Sequence, residues 1–248
     1  MFMLRARLRN RWLRFKARNR DLPACARRNL AAIEGLTGGM NAKALRYVVL
    51  DIETTGLDPR HDEIVSLGAI GMQEGRIRLH DHFFELVNPQ CRLKHGSIAI
   101  HGIVPGRLEA APRVEEVFPR FLDYLGTAVL VAHHARFDLY FLNKVMTSLY
   151  GFPLCNLVLD TARLAMGPLF SQSICLEAGN DPPSLDLLAD KCNLPLHERH
   201  TSLGDALVTA MIFQRMLEAA EKRGRGSLAE LLKESRRAPL KTSGLFCL

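Results

Sequence analysis

The sequence predicts an α/β fold, a mixed sheet with helices on its faces. Two observations carry this reading. Three β-rich runs between residues 47 and 87 are separated by short turn signals, the pattern of an antiparallel meander. Beyond residue 114, short apolar runs alternate with segments of helical spacing. Strands that pair first as hairpins and then alternate with helices give a sheet of mixed direction covered by those helices.

The elements follow in order. Tyr47-Val48-Val49-Leu50 is the first strand run, and a second spans Glu63–Met72. Glu74-Gly75 makes a tight turn into a third, Arg76–Val87, closed by Asn88-Pro89. Helical spacing covers Val114–Leu125, and a buried strand fits Val129–His133. Ala135–Leu149 reads as a helix because Phe137, Phe141, Leu142 and Val145 recur on one face. Leu157–Asp160 is a short fifth strand, and Met166–Pro183, with its Pro, Gly, Asn and Ser, an irregular excursion. Two helices end the pattern, Leu185–Cys192 and Ser202–Lys222. Three regions result: a basic N-terminal arm and linker over 1–44, punctuated by Gly35, Gly38 and Gly39; a folded domain over 45–222; and a basic, flexible C-terminal tail over 223–248.

Composition narrows the function classes. A chain of 248 residues can bury a large core. It has no apolar run of about 18 residues, so no spanning helix is expected, and its Arg-rich start lacks the apolar stretch of a secretory signal. The six cysteines are scattered without a CxxC pair, which argues against structural zinc and for free thiols in a reducing cytoplasm. Charge is uneven. Residues 1–20 hold eight Lys or Arg and no acid, so the net +7 of the chain leaves −1 for the rest. Such asymmetry points to an anionic partner.

Three segments carry chemistry. Asp51 and Glu53 stand two residues apart after an apolar run, so both point to one face of a strand end. Two carboxylates there repel unless a cation lies between them, and Mg²⁺ or Mn²⁺ prefers such oxygen donors. The alternative is a pair of solvated acids on an exposed face. Asp138 follows a strand and a polar turn, in the first turn of a helix, where an acid also serves the helix dipole. In the third segment, Ser202 and Asp205 have capping-box spacing, and His200 lies in the loop just before. Each segment alone has a structural explanation.

Together they resemble the DEDDh family of 3′–5′ exonucleases, which includes the proofreading (epsilon) subunit of bacterial replicative polymerase. The resemblance covers roughly 46–217 and rests on Asp51-Ile52-Glu53-Thr54-Thr55-Gly56, on His133-His134-Ala135-Arg136-Phe137-Asp138 followed by Phe141-Leu142, and on His200-x₄-Asp205, in the family's order. Ile100-His101-Gly102-Ile103, Ala111-Pro112, Leu159-Asp160-Thr161 and Ser184-Leu185 also match. The resemblance implies a ribonuclease H-like, five-stranded mixed sheet with flanking helices. It implies that Asp51, Glu53, Asp138 and Asp205 hold two divalent cations, Mg²⁺ or Mn²⁺, with His200 as general base. Thr54, Thr55, Gly56 and Leu57 would hold the terminal nucleotide, Leu57 as an apolar wedge, with His101, His133 and His134 nearby. One departure stands out: His134 occupies a position where the family often has Asn.

The implied reaction releases nucleoside 5′-monophosphates from single-stranded or frayed DNA 3′ ends, in proofreading or repair. The same chemistry on RNA ends, and a non-catalytic binding module, are the alternatives, and the complete ligand set disfavours the last. No polymerase domain fits this length, so proofreading would need a separate polymerase chain. Leu245-Phe246 loosely resembles a sliding-clamp binding peptide, against the plainer reading of an unattached terminus. In the arm, Leu4, Leu8, Trp12 and Phe15 recur at helical spacing. The stripe is expected to pack on the body while the arginines hold nucleic-acid phosphates. Packing with solvated arginines, and a seat on an anionic membrane, are the competing readings.

Overall fold

The sheet is organised around one strand, β1 (Arg46–Thr54), because its side chains are apolar on both faces. Period-2 alternation sends Tyr47 and Val49 into one core layer and Val48, Leu50 and Ile52 into the other. In the computed structural model, which describes residues 2–170, 181–196 and 198–237, β1 is the middle of five strands. The others are β2 (Ile64–Gln73), β3 (Arg76–Leu86), β4 (Val129–Ala132) and β5 (Val158–Asp160), in the order β3-β2-β1-β4-β5. The first three pair antiparallel, whereas β4 pairs parallel with β1 and β5 parallel with β4. The expected strands are all present, with ends within a few residues of those read from the sequence.

Ten helices are found among the described residues: α1 (Phe2–Ala17), α2 (Ala24–Leu30), α3 (His95–His101), α4 (Pro105–Leu108), α5 (Val114–Leu125), α6 (Arg136–Tyr150), α7 (Thr161–Met166), α8 (Leu185–Lys191), α9 (Ser202–Lys222) and α10 (Leu228–Arg237). Helices α5 and α6 cover the Val48–Leu50 face through Phe118, Phe121, Phe141 and Leu142. Helix α9 covers the opposite face with Val208, Ile212, Phe213 and Met216. There Phe213 meets Tyr47 edge to face at 4.9 Å, and the Tyr47 hydroxyl donates to the Ala42 carbonyl at 2.6 Å. One contact fixes the height of α9. A Cβ on Gly68 of β2 would collide with the main chain of Ser202 and Leu203, so only glycine lets the start of α9 lie this close to the sheet.

Both ends of the chain differ from expectation. The stretch read as an arm and linker, 1–44, is not detached. Leu13, Ala17, Leu22, Cys25, Ala26 and Leu30 belong to the same core layer as β1, and Asn29 bonds Asn156 and the Cys155 N–H. The stripe of Leu4, Leu8, Trp12 and Phe15 does form on α1, but it faces solvent. The buried face is Ala6, Asn10, Leu13 and Ala17, where two small residues permit close approach and the Asn10 amide donates to the Cys155 carbonyl. Of the segment read as a flexible tail, 223–248, helix α10 packs Leu228, Leu231 and Leu232 into the α9-side core. Those leucines stand at helical spacing among Glu230, Lys233, Glu234 and Arg236, so the segment reads by composition as a polar tail although it is an amphipathic helix. Leu245-Phe246 and most of the Met166–Pro183 excursion lie outside the described residues. Among the described residues no helix is long and apolar enough to cross a membrane, and Cys25, Cys91, Cys155 and Cys192 are free.

Candidate active site

The alternation that buries Tyr47 and Val49 under α9 continues along β1, so Asp51 and Glu53 emerge on that same face, at the strand's carboxyl end. Gly68, paired with Asp51 across the ladder, admits the first turn of α9, which carries Asp205. Carboxylate oxygens of Asp51, Glu53 and Asp205 therefore all lie within 4.8 Å of one another. Asp138 arrives from the other side. It is buried in the first turn of α6, close enough to the N–H of Ile52, between the two β1 acids, for that group to stabilise its charge.

Electrostatics show what the cluster lacks. Desolvation pushes the Asp51 carboxyl well above the usual range, and Asp138, Glu53 and Asp205 push it further. Glu53 rises to about 8, through desolvation and then Asp205. Asp138 is raised by burial and by Asp160 and Glu53, against hydrogen bonds from main-chain N–H groups. Converging oxygen donors that repel one another are a donor set suited to hard divalent cations. In the protein alone, positive charge is supplied by Arg199. Its guanidinium bonds Asp205 through Nη1 and Asp186 through Nε, the latter at 2.6 Å. Sequence reading missed Arg199, because nothing in its spacing distinguishes it from a solvated loop cation.

His200 stands just before α9 with a left-handed backbone, φ 62°, and its N–H points to Asp205 Oδ1 at 3.3 Å. The residue is exposed. The cap of α9 is not the expected one. Thr201, not Ser202, accepts the Gly204 N–H, while the Ser202 hydroxyl pairs with Ser66 at 2.6 Å. Asp205 is thereby released from capping and left facing the cluster.

A cleft of about 650 Å³ opens beside Glu53, lined by Thr54, Gly56, Leu57, Lys94, Ile100, His101, Arg136, Phe137 and Tyr140 among others. Thr54, Gly56 and Leu57 thus flank the acids as expected, with Leu57 68% exposed at the rim. Thr55 is fully buried instead, its hydroxyl donating to Asp62 at 3.1 Å. Asp62, another residue the sequence did not flag, organises the loop. Its carboxylate accepts from the Asp58 N–H and pairs with Lys94 at 2.6 Å. A Cβ on Gly56 would lie 2.5 Å from that carboxylate, which explains the glycine. His101 reaches the cleft with Nδ1 accepting from the Ile103 N–H, and its buried Nε2 has no partner within the protein.

The two adjacent histidines lie outside the cleft, His133 near Arg199 and Asp186 and His134 near Asp160. His133 bonds Thr161 Oγ1 through Nδ1 at 2.9 Å, and burial pushes its pKa down to about 3. His134 stacks edge-on against it with φ 55°. Neither lines the cleft. The left-handed backbone explains the departure at 134, since both Asn and His tolerate it better than most side chains.

Comparison with known proteins agrees with this construction. The chain is 37% identical over 185 residues to a PolC-type DNA polymerase III of Thermotoga petrophila, covering 75% of this chain and 13% of that one. It is 39% identical over 196 residues to an epsilon-like DNA polymerase III subunit of Rhodobacter capsulatus, covering 78% of this chain and 27% of the relative. The chain thus matches only a minor part of either relative's length. A solved exonuclease X in complex with 5′-overhanging duplex DNA shares the fold, with 23% identity, a TM-score of 0.56 and coverage of 77% of this chain and 99% of that one. The sheet is accordingly ribonuclease H-like. The exonuclease family model, RNase_T, matches residues 48–213, from the first core residues of β1 to the middle of α9 and across all four acids. The chain belongs to this exonuclease family, a family of divalent-metal-dependent nucleases.

Proposed function

We propose that the protein hydrolyses DNA from the 3′ end, releasing nucleoside 5′-monophosphates in proofreading or repair. The convergence of Asp51, Glu53 and Asp205, with Glu53 also lining a cleft of about 650 Å³, supports this reading. Asp51, Glu53, Asp138 and Asp205 would hold two cations, Mg²⁺ or Mn²⁺. Bound there, they would lower the pKa of the attacking water and neutralise charge on the departing oxygen. His200, exposed just before α9, is the general base that accepts the water's proton. Leu57, Ile100 and Tyr140 offer apolar surface to the terminal bases, and Thr54 and His101 line the same cleft. Arg60, Lys94 and Arg136 also line the cleft, Lys94 paired with Asp62 and Arg60 with Asp58. A free 3′ end is required because the terminal nucleotide must leave the stack to enter.

The test uses matched DNA and RNA oligonucleotides labelled at either end, with and without EDTA. Stepwise release of 3′-terminal mononucleotides from DNA, abolished by EDTA and restored by Mg²⁺ or Mn²⁺, is expected. Hydrolysis by metal-free protein, first release of the 5′ nucleotide, or cleavage confined to RNA would each overturn the proposal.

A further inference from the structure

Helix α1 turns its largest apolar side chains away from the protein. Leu4, Leu8, Trp12 and Phe15 are 61, 57, 53 and 60% exposed. At 100° per residue they form one stripe, almost opposite the buried face of Ala6, Asn10, Leu13 and Ala17. The cations fill the flanks between. Arg5, Arg9 and Lys16 fall on one side of the stripe, and Arg7, Arg11 and Arg14 on the other. No acid occurs in the helix. Lys16 lies 4.0 Å over the Trp12 ring and Arg18 4.3 Å over the Phe15 ring, so cation and apolar ring occupy the same outer level.

We propose that α1 seats this exonuclease on an anionic lipid surface. A helix lying in the headgroup plane needs an apolar ridge that enters the acyl boundary and long basic side chains that reach phosphates on both sides. The outward half of α1 has that arrangement through Arg5 and Lys16 on one side and Arg11 on the other, while Arg7, Arg9 and Arg14 bond Leu36, Leu154 and Glu34, and the inward half is tied to the body by Leu13 in the core and the Asn10 bond to Cys155. Nucleic acid would satisfy the cations but leave the four apolar side chains in water. The helix is also far from the chemistry along the sheet. Asn10 and Arg9 bond the carbonyls of Cys155 and Leu154, before β5 begins, whereas the acids gather where the strands end. A second copy would set two wholly basic helices against each other. An anionic bilayer meets both the charge and the stripe, and leaves the cleft at the other end of the sheet open to a strand.

The sequence supplies the reporter, because Trp12 is the only tryptophan. Full-length protein is mixed with vesicles of phosphatidylcholine alone or with an equal part of phosphatidylglycerol, and Trp12 emission and co-sedimentation are recorded. With the anionic vesicles we expect a blue shift, quenching by lipids brominated along the acyl chain, and co-sedimentation that falls as salt rises. Phosphatidylcholine alone should give little of these. The double variants Leu8→Ser/Phe15→Ser and Arg5→Gln/Arg11→Gln should each weaken vesicle binding by about tenfold or more while keeping nuclease activity in solution. Unshifted Trp12 emission on anionic vesicles would overturn the proposal, even if the protein sedimented with them. So would vesicle binding unchanged in both variants. A blue shift without lipid that grows with protein concentration would assign the stripe to a second copy. Loss of DNA affinity in Arg5→Gln/Arg11→Gln with vesicle binding intact would assign the helix to nucleic acid.

Discussion

At the scale of single residues, the site is a set of carboxyl groups held where charge is costly. Asp51→Ala and Asp205→Ala should abolish hydrolysis and leave the far-ultraviolet spectrum unchanged, since each removes a donor and a repulsion rather than a packing contact. His200→Ala should lower kcat by about 10²–10⁴-fold with little change in affinity for the strand end, which a single-turnover assay separates. The raised pKa of Glu53, about 8, gives a pH dependence of definite sign. In metal-free protein the folded state holds a proton more tightly than the unfolded chain does. Its contribution to stability is present below the unfolded pKa near 4.5 and is lost as pH rises through about 8. Thermal melts in EDTA should therefore fall from pH 5 to 8, and Mg²⁺ should reverse the fall because it requires the ionised form. A melting temperature that rises with pH in EDTA would contradict this assignment.

At the scale of elements, the glycine in β2 matters more to the chemistry than its distance along the chain suggests. Gly68→Ala should push the first turn of α9 from the sheet, costing about 1–3 kcal/mol in stability and withdrawing Asp205 from the other acids. Urea unfolding and the affinity for Mn²⁺ should fall together, whereas a variant on the outer face of α9, such as Glu218→Ala, should change neither. The sequence could locate the strands and the main helices because their periodicity is strong, and it singled out Asp51, Glu53 and Asp205, which the fold brings together, because the segments recur in a known order. It could not place α1, since the apolar stripe it displays is not the buried face. That face is made of two alanines, an asparagine and one leucine, which no scale of hydrophobicity ranks first. Arg199 and Asp62 were invisible for a different reason. Their roles exist only through partners brought close by folding, Asp205 and Asp186 for the first, Lys94 and Thr55 for the second.

At the scale of the whole molecule, the N-terminal region is part of the core rather than an appendage. Leu13→Ala should cost about 2–5 kcal/mol, measured by denaturant unfolding, and leave kcat unchanged below the melting range. An arm loosely attached to a finished domain would show no such loss. The four acids also come from well-separated stretches of chain, on β1, on the first turn of α6 and on the first turn of α9. Long-range closure of this kind comes late in folding, because the intervening chain must be ordered first. During synthesis, a chain that has emerged only as far as α6 holds three of the four acids and no Asp205 or His200. Such a chain lacks the acid that α9 brings to Asp51 and Glu53, so on the proposed reading the acid cluster is completed only when α9 has docked on the sheet.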